Sequence, residues 1–440
     1  TAIENALNAI DTMDVAGSAP EARCRLKEVL SAKAEDGHVV YATGHAHIDT
    51  AWLWPLRETK RKVARTFSNV VELCEECPDF TFAASSAQQY QWLEQNYPDV
   101  FANVSKKVKE GSFVPVGGMW VECDANLPGG ESLARQFLQG TKFFREHLGV
   151  NSSIAWLPDS FGYSGAFPQI AKLAGCDYFL TQKISWNDTN NFPHHSFMWQ
   201  GIDGTEIFTH FPPSDKYNSD AMPGDVALSE KQYSEKGKGR SSLLLFGWGD
   251  GGGGPTREMV AATRIQSDLQ GSPKVRVTNP VKFFEKAKSE LQDPARWVGE
   301  LYLELHRGTS TSETNTKQGN RRCESLLREA ELWSTIATVH KGAEYPYDEL
   351  QDIWQKVLLY QFHDILPGSA IAWVYAEVER SYKDLEKRLN AIIEKALGIL
   401  TGHGNKRLTA NAGPFEQLGV SAMSISLSTA HSNVEVVEGE

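Results

Sequence analysis

Positive charge is in short supply. Lysine and arginine number 44 against 56 aspartates and glutamates, a formal net charge of −12. Phosphate binding rewards clustered cations, so a nucleic-acid surface is excluded and an uncharged substrate fits better. Cysteine is also sparse: six, at positions 24, 74, 77, 123, 176 and 323, with no spacing of a disulfide framework. A reducing compartment, the cytosol, is the better expectation. Cys74 and Cys77 form a CxxC without a second pair, and the helical apolar spacing around them reads as helix packing rather than a zinc or redox motif. No apolar run reaches about 18 residues, so no membrane-spanning helix is expected. The opening "TAIENALNAIDTMD" has neither the basic nor the apolar region of a signal peptide. A start in mid-helix and a finish at "VEVVEGE" read as the ends of a fragment. The glycine run "GDGGGGPT" lacks the lysine and spacing of a phosphate-binding loop. Asn103, Asn151 and Asn187 head Asn-x-Ser/Thr triplets, patterns short enough to arise by chance.

What is present is an alternation. Apolar, β-rich runs such as "HVVYATG", "FTFAASS", "SSIAWLP", "YFLTQKI", "EIFTHFP" and "SLLLFGWG" are separated by amphipathic helical stretches. That order implies a parallel or mostly parallel α/β sheet or barrel. The expected organisation is an N-terminal helical segment over 1–37, an α/β catalytic domain over 38–300, a helical bundle over 301–402, and the start of a β domain over 403–440.

Polar residues gather where these strands end. In "GHAHIDTAWLWP", alternation places His45, His47 and Asp49 on one side if the strand persists. The strand's C-terminal edge is where α/β folds build sites. His45 reads sooner as a satisfied core histidine than as a ligand, whereas His47 with Asp49 reads as a metal pair beside Trp52. "AWLPDSFGYS" delivers Asp159 into a turn, either as a helix cap or as an anion flanked by Phe161 and Tyr163, as a sugar ring would need. "LLLFGWGDGGGG" ends in Asp250, either a simple turn aspartate or a proton donor left mobile by its glycines. "YQFHDILPGS" sets His363 and Asp364 at a helix end. A dipole partner explains the histidine but not the acid.

Taken together, "HAHIDTAWLWP", "VPVGGMWVECDANLPGGESLARQFL", "WLPDSFGYS", "FLTQKISWN", "FPHHSFMWQGIDG", "THFPPSDKY", "GWGDGGGGPT", "GELYLELHRGT" and "QFHDILPGS" resemble glycoside hydrolase family 38, in its cytosolic and vacuolar α-mannosidase branch. The resemblance runs in order over roughly residues 38 to 400. It implies a seven-stranded α/β barrel-like catalytic domain, a three-helix bundle, and the start of a β-sandwich domain. It also implies one divalent metal, zinc in most members with cobalt as a substitute, held by His47, Asp49, Asp159 and His363. Asp159 is then also the nucleophile, Trp52 and Phe161 shape the terminal-sugar subsite, and Asp364 binds sugar hydroxyls. Asp250 is assigned the acid/base role, as the remaining strand-end acid in a flexible setting.

The implied reaction is retaining hydrolysis of terminal α-linked mannose from an oligosaccharide, through a covalent mannosyl-enzyme. A metal-dependent carbohydrate deacetylase is the alternative. Neither nucleic acid nor membrane is an expected partner, and a homo-oligomer is the expected assembly. The chain departs from the family's Golgi and lysosomal branches in having Lys183 for an arginine and one aspartate, not two, in the glycine loop. Ser310 stands where the family commonly has an aromatic residue.

Overall fold

The computed structural model describes residues 1–402, 404 and 406–427. The finish "VEVVEGE" lies outside the described residues. The chain divides into two compact units, one formed by residues 1–317 and 358–378, the other by 318–357 and 379–440.

The first unit begins with helices Ala2–Leu7 and Val15–Leu30, the first closed by a reciprocal cap between Thr1 and Glu4. Ten strands follow: β1 (Val39–His45), β2 (Phe82–Ala84), β3 (Phe113–Pro115), β4 (Ile154–Trp156), β5 (Tyr178–Leu180), β6 (Ser196–Gln200), β7 (Glu206–His210), β8 (Ser241–Phe246), β9 (Lys274–Val277) and β10 (Arg296–Val298). They form two five-stranded sheets. One has the order β3-β2-β1-β8, with β9 also on β1; the other has the order β10-β6-β7-β5-β4. β1 is long enough to share one edge, giving Val39–Ala42 to β9 and Gly44–His45 to β2. Every pairing in the two sheets is parallel except the β6–β7 hairpin. The α/β character thus follows the sequence pattern.

The strands do not run as one closed seven-stranded ring. Past the end of β3, Gly117 N–H donates to the Ile154 carbonyl of β4 at 3.0 Å. At the opposite edges the imidazole of His210 on β7 takes the Leu243 N–H of β8 at 3.1 Å, a donor that a β7–β8 ladder would need. β2 through β5 are three residues each, too short to carry a ladder across these seams. Between the sheets lies an apolar interior of Ala83, Val114, Ile154, Trp156, Leu180, Phe208, Leu243 and Leu245, closed by Phe283 and Phe284. Cys74 sits in the helix Leu56–Glu76 and Cys77 just after it, both buried free thiols. Burial pushes the Cys74 thiol up to about 11.

The second unit draws on helices Thr314–Lys341, Tyr347–Tyr360 and Ala372–Thr401. Leu327, Trp333, Ile353, Val357, Leu385 and Leu389 supply its buried apolar side chains. Arg388 donates to Glu349 at 2.6 Å and Asp352 at 2.7 Å, and the Trp354 indole donates to Glu331 at 2.8 Å. β11 (Leu408–Asn411) and β12 (Ser424–Leu427) form an antiparallel pair. Among the described residues no helix is long and apolar enough to cross a membrane.

One helix contact reaches toward the head of the sheets. The helix Gly130–Phe143 packs on the segment after β3, with Trp120 N–H donating to the Gln136 carbonyl at 2.9 Å. At Gly140 a Cβ would stand 2.4 Å from the Met119 carbonyl carbon and 2.5 Å from the Gly118 oxygen. Gly140→Ala should therefore destabilise the protein by about 1–3 kcal/mol, the scale of overpacking a close contact. A lower urea midpoint at unchanged m-value is the expected observation.

Candidate active site

β1 stops at His45, so the alternation expected through Asp49 does not continue as strand. His45 turns away from the site: its Nδ1 lies 3.0 Å from the Tyr217 carbonyl, and its Nε2 accepts from the Trp156 indole at 3.3 Å. With one nitrogen donating and the other accepting it is a satisfied core residue, and burial pushes it down to about 4. His47 and Asp49 lie beyond the strand edge, where Gln89 and the Asp250 backbone take up the freed peptide groups.

Four side chains from three places in the chain converge there. One potential ligand atom from each of His47, Asp49, Asp159 and His363 lies within 4.8 Å of the others. His47 Nε2 is 2.8 Å from Asp49 Oδ1 and 3.9 Å from Asp159 Oδ2. His363 Nε2 is 3.5 Å from Asp49 Oδ1 and 3.4 Å from Asp159 Oδ2, yet makes no aligned hydrogen bond although fully buried. Its other nitrogen is engaged, Nδ1 donating to the Glu122 carbonyl at 2.7 Å, so Nε2 is the atom turned inward.

The electrostatics describe a place that wants positive charge. Burial opposes protonation of His47, but the Glu122 and Asp49 carboxylates outweigh it and hold the imidazole well above its usual range. Burial likewise opposes protonation of His363, and the Asp159 and Asp49 carboxylates push it up to about 10. Asp49 and Asp159 are both held below the usual carboxylate range against their own burial, Asp159 by His363 and Lys183. Two imidazoles and two carboxylates around an orphaned, inward-facing nitrogen are a donor set suited to a divalent transition metal.

The cluster forms one wall of a cavity of about 480 Å³, onto which Asp49, Asp159 and Asp364 open. Trp52 and Phe161 also line it, as do Trp186, Tyr217 and His306. Phe161 is backed by His306 at 4.8 Å between ring centroids and by His363 at 5.9 Å. Asp364 accepts from the Ser369 hydroxyl at 2.5 Å, and burial pushes it up to about 7 against the pull of His363. Ser310 is exposed, on the short helical turn Arg307–Ser310, and is not part of the lining.

Asp250 lines the same cavity but is not loose. It sits in left-handed backbone with φ of 58°, its Oδ1 accepts from the Tyr217 hydroxyl at 2.8 Å, and its carbonyl accepts the Asp49 N–H at 2.8 Å. The expectation of a mobile acid is corrected by this pinning: the glycines permit a tight loop, and the loop is then bonded on both sides.

Several residues of the site were not assigned from the sequence. Glu122 reaches His47 Nδ1 at 2.9 Å, a close approach without hydrogen-bond alignment, and accepts from Ser85 on its other oxygen. Its signal was an acid inside the apolar run "MWVECDAN". Tyr217, Trp186 and His306 carried no local signal, because only long-range folding brings them in. Lys183, noted only as a departure, is 2% exposed, with its ammonium 2.6 Å from Asp159 Oδ1 and 4.1 Å from the Trp186 ring centroid.

Residues 37–300 match the glycosyl hydrolases family 38 N-terminal domain, and residues 304–400 match the alpha mannosidase middle domain. The chain is 43% identical over 393 residues to Alpha-mannosidase 2C1 of Homo sapiens, covering 88% of this chain and 38% of that protein. It is 44% identical over 374 residues to Alpha-mannosidase of Saccharomyces cerevisiae, covering 82% and 34% respectively. It therefore spans little more than a third of the length of these curated relatives. An alpha-mannosidase from Enterococcus faecalis V583 shares the fold, with a TM-score of 0.75 at 20% identity, over 86% of this chain and 46% of that one.

Removing the Lys183 charge strands a buried carboxylate. Lys183→Met should cost about 3–5 kcal/mol of folding stability in metal-free protein, and Lys183→Arg clearly less. Paired denaturant titrations check this, with equal losses counting against the ion pair.

Proposed function

The chain belongs to glycosyl hydrolases family 38, and from that membership we propose that it acts as a retaining α-mannosidase on the terminal α-linked mannose of oligosaccharides. The observation that carries the reading is the opening of the His47, Asp49, Asp159 and His363 cluster, through its two carboxylates, onto an aromatic-lined cavity. In this reading the runs β3-β2-β1-β8 and β7-β5-β4 are the two arcs of the family's seven-stranded barrel-like domain, and the three long helices are its bundle.

His47, Asp49, Asp159 and His363 would hold one divalent metal, zinc or cobalt. When bound it supplies Lewis-acid affinity for a cis pair of hydroxyl oxygens such as O2 and O3 of mannose. That pair distinguishes mannose from glucose, whose 2-hydroxyl is equatorial. Glu122 faces the outer nitrogen of His47 and orients its ring.

The chain's own groups then divide the chemistry. Trp52 and Phe161 offer flat faces to the sugar's C–H surface, and Asp364 takes its hydroxyls. Lys183 holds one oxygen of Asp159 and keeps the carboxyl ionised. Asp159 attacks the anomeric carbon, the bond to the leaving oxygen breaks, and Asp250 gives that oxygen a proton. Asp250 then takes a proton from water, which attacks the glycosyl ester and frees mannose with retained configuration. Tyr217, donating to Oδ1 of Asp250, leaves the second oxygen to carry the proton. The deacetylase alternative would need a general base and a bound water in place of a carboxylate nucleophile. Family membership and the cavity-facing Asp159 support the glycosidase.

The deciding assay compares an aryl α-mannoside with its α-glucoside, on metal-analysed protein with and without added Zn²⁺ or Co²⁺. Metal-dependent cleavage of the mannoside alone is expected. A fully loaded protein that cleaves neither, or that releases acetate from acetylated sugars, sinks the proposal. Asp159→Asn should abolish turnover and lower bound metal together. Asp250→Asn should slow turnover by about 10²-fold or more, the scale of lost general acid–base catalysis, with metal content at the wild-type value. Full activity in Asp250→Asn would remove it from the proton-donor role.

A further inference from the structure

The helix Leu56–Glu76 opens with a run of cations, Arg57, Lys60, Arg61, Lys62 and Arg65, in an otherwise acidic chain. Helical spacing puts Lys62, Arg65 and Thr66 on one face, and that face meets the glycine loop that carries Asp250. The Arg65 guanidinium donates to the Gly251 carbonyl at 3.0 Å, and the Thr66 hydroxyl donates to the Gly252 carbonyl. Lys62 is used differently. Its ammonium lies 4.1 Å from the centroid of the Trp54 ring. A Cβ added at Gly251 would stand 3.4 Å from Lys62 Nζ and 3.9 Å from Trp54 Cη2, so the bare glycine packs close beside this pair.

Trp54 is itself anchored. Its indole N–H is shared between the Asp49 carbonyl at 3.2 Å and the Thr59 hydroxyl at 3.1 Å. Lys62 is half-buried, and among the described residues no carboxylate, hydroxyl or carbonyl accepts from its ammonium. An ammonium fixed by an aromatic face with unused donors calls for acceptor oxygens from outside the chain. The Trp52 and Trp54 rings meet edge to face at 6.0 Å, so Trp54 stands one ring beyond the lining of the cavity, as Gly251 stands one residue beyond Asp250.

We propose that Trp54, Lys62 and Gly251 form the subsite for the sugar on the leaving side of the scissile bond, a neutral saccharide whose hydroxyl or ring oxygens accept from Lys62. The inference rests on the mannosidase reading and deepens it. The terminal mannose lies among Asp159, Trp52 and Phe161, and Asp250 protonates the departing oxygen. The residue that follows Asp250 therefore borders the departing sugar.

The test measures kcat/KM for an α-linked mannobiose and for an aryl α-mannoside in the metal-loaded full chain. Absence of aryl mannoside turnover in the wild type fails the functional reading itself, before this inference is reached. Given that turnover, Lys62→Met should lower the disaccharide-to-aryl ratio of kcat/KM by about tenfold, the scale of a hydrogen bond from a charged donor. The loss should appear mainly in the disaccharide KM, and Lys62→Arg should recover most of it. Should Lys62→Met fold poorly, Lys62→Gln is read in the same way. A ratio that stays at the wild-type value, whether the two rates hold or fall together, overturns the subsite.

Discussion

Asp159 has two oxygens, one facing an ammonium and the other two imidazoles, and the arrangement of the site depends on keeping these neighbours apart. Lys183 takes Oδ1 at 2.6 Å, while Oδ2 lies 3.4 Å from His363 Nε2 and 3.9 Å from His47 Nε2. A single buried carboxylate thus serves an ion pair on one side and the His47, Asp49 and His363 cluster on the other. Without Lys183 the carboxylate would have only the imidazoles to offset its burial, and the cluster would lose the charge separation that makes one oxygen available.

Such a concentration of buried acids needs a rigid frame, and the fold provides one by bringing loops from distant strands to a common head. His47 and Asp49 follow β1, Asp159 follows β4, and Asp250 follows β8. His363 and Asp364 arrive from far along the chain, where the His363 N–H and Nδ1 both meet the Glu122 carbonyl. The segment carrying Glu122 is in turn bonded through Trp120 and Val121 to Gln136, so the helix Gly130–Phe143 steadies the histidine at second hand. Local stability is traded for function here: several groups kept out of water are satisfied only by one another.

Much of this was legible in the sequence because the signals are local. An apolar strand running into the His47 and Asp49 pair, an acid at the turn after "AWLP", and His363 with Asp364 between a helix and a Pro-Gly turn each follow from local pattern or turn chemistry, although β1 itself stops at His45. The strand order β3-β2-β1-β8 and the seams beside it were not, since strands of three residues carry little pattern and His210 acts at an edge only tertiary structure defines. The same limit hid Glu122 and Tyr217, whose partners lie 75 and 33 positions away, counting from His47 to Glu122 and from Tyr217 to Asp250. Asp250 was misjudged for a related reason. A glycine-rich loop reads as freedom until the bonds that restrain it, to Tyr217 and through Arg65 and Thr66, are in view.

The peptide hydrogen bond from Asp49 N–H to the Asp250 carbonyl, with the bridge between Ile48 and Gly251 beside it, welds the loops after β1 and β8 into one piece. Its length is therefore not free to vary. A residue inserted between Gly247 and Gly254 would withdraw the carbonyl on which Asp49 hangs, and with it a wall of the ligand cluster. Diversification at this edge of the cavity is channelled into side-chain exchange on the neighbouring helix, which can alter what the cavity accepts without disturbing how it is wired.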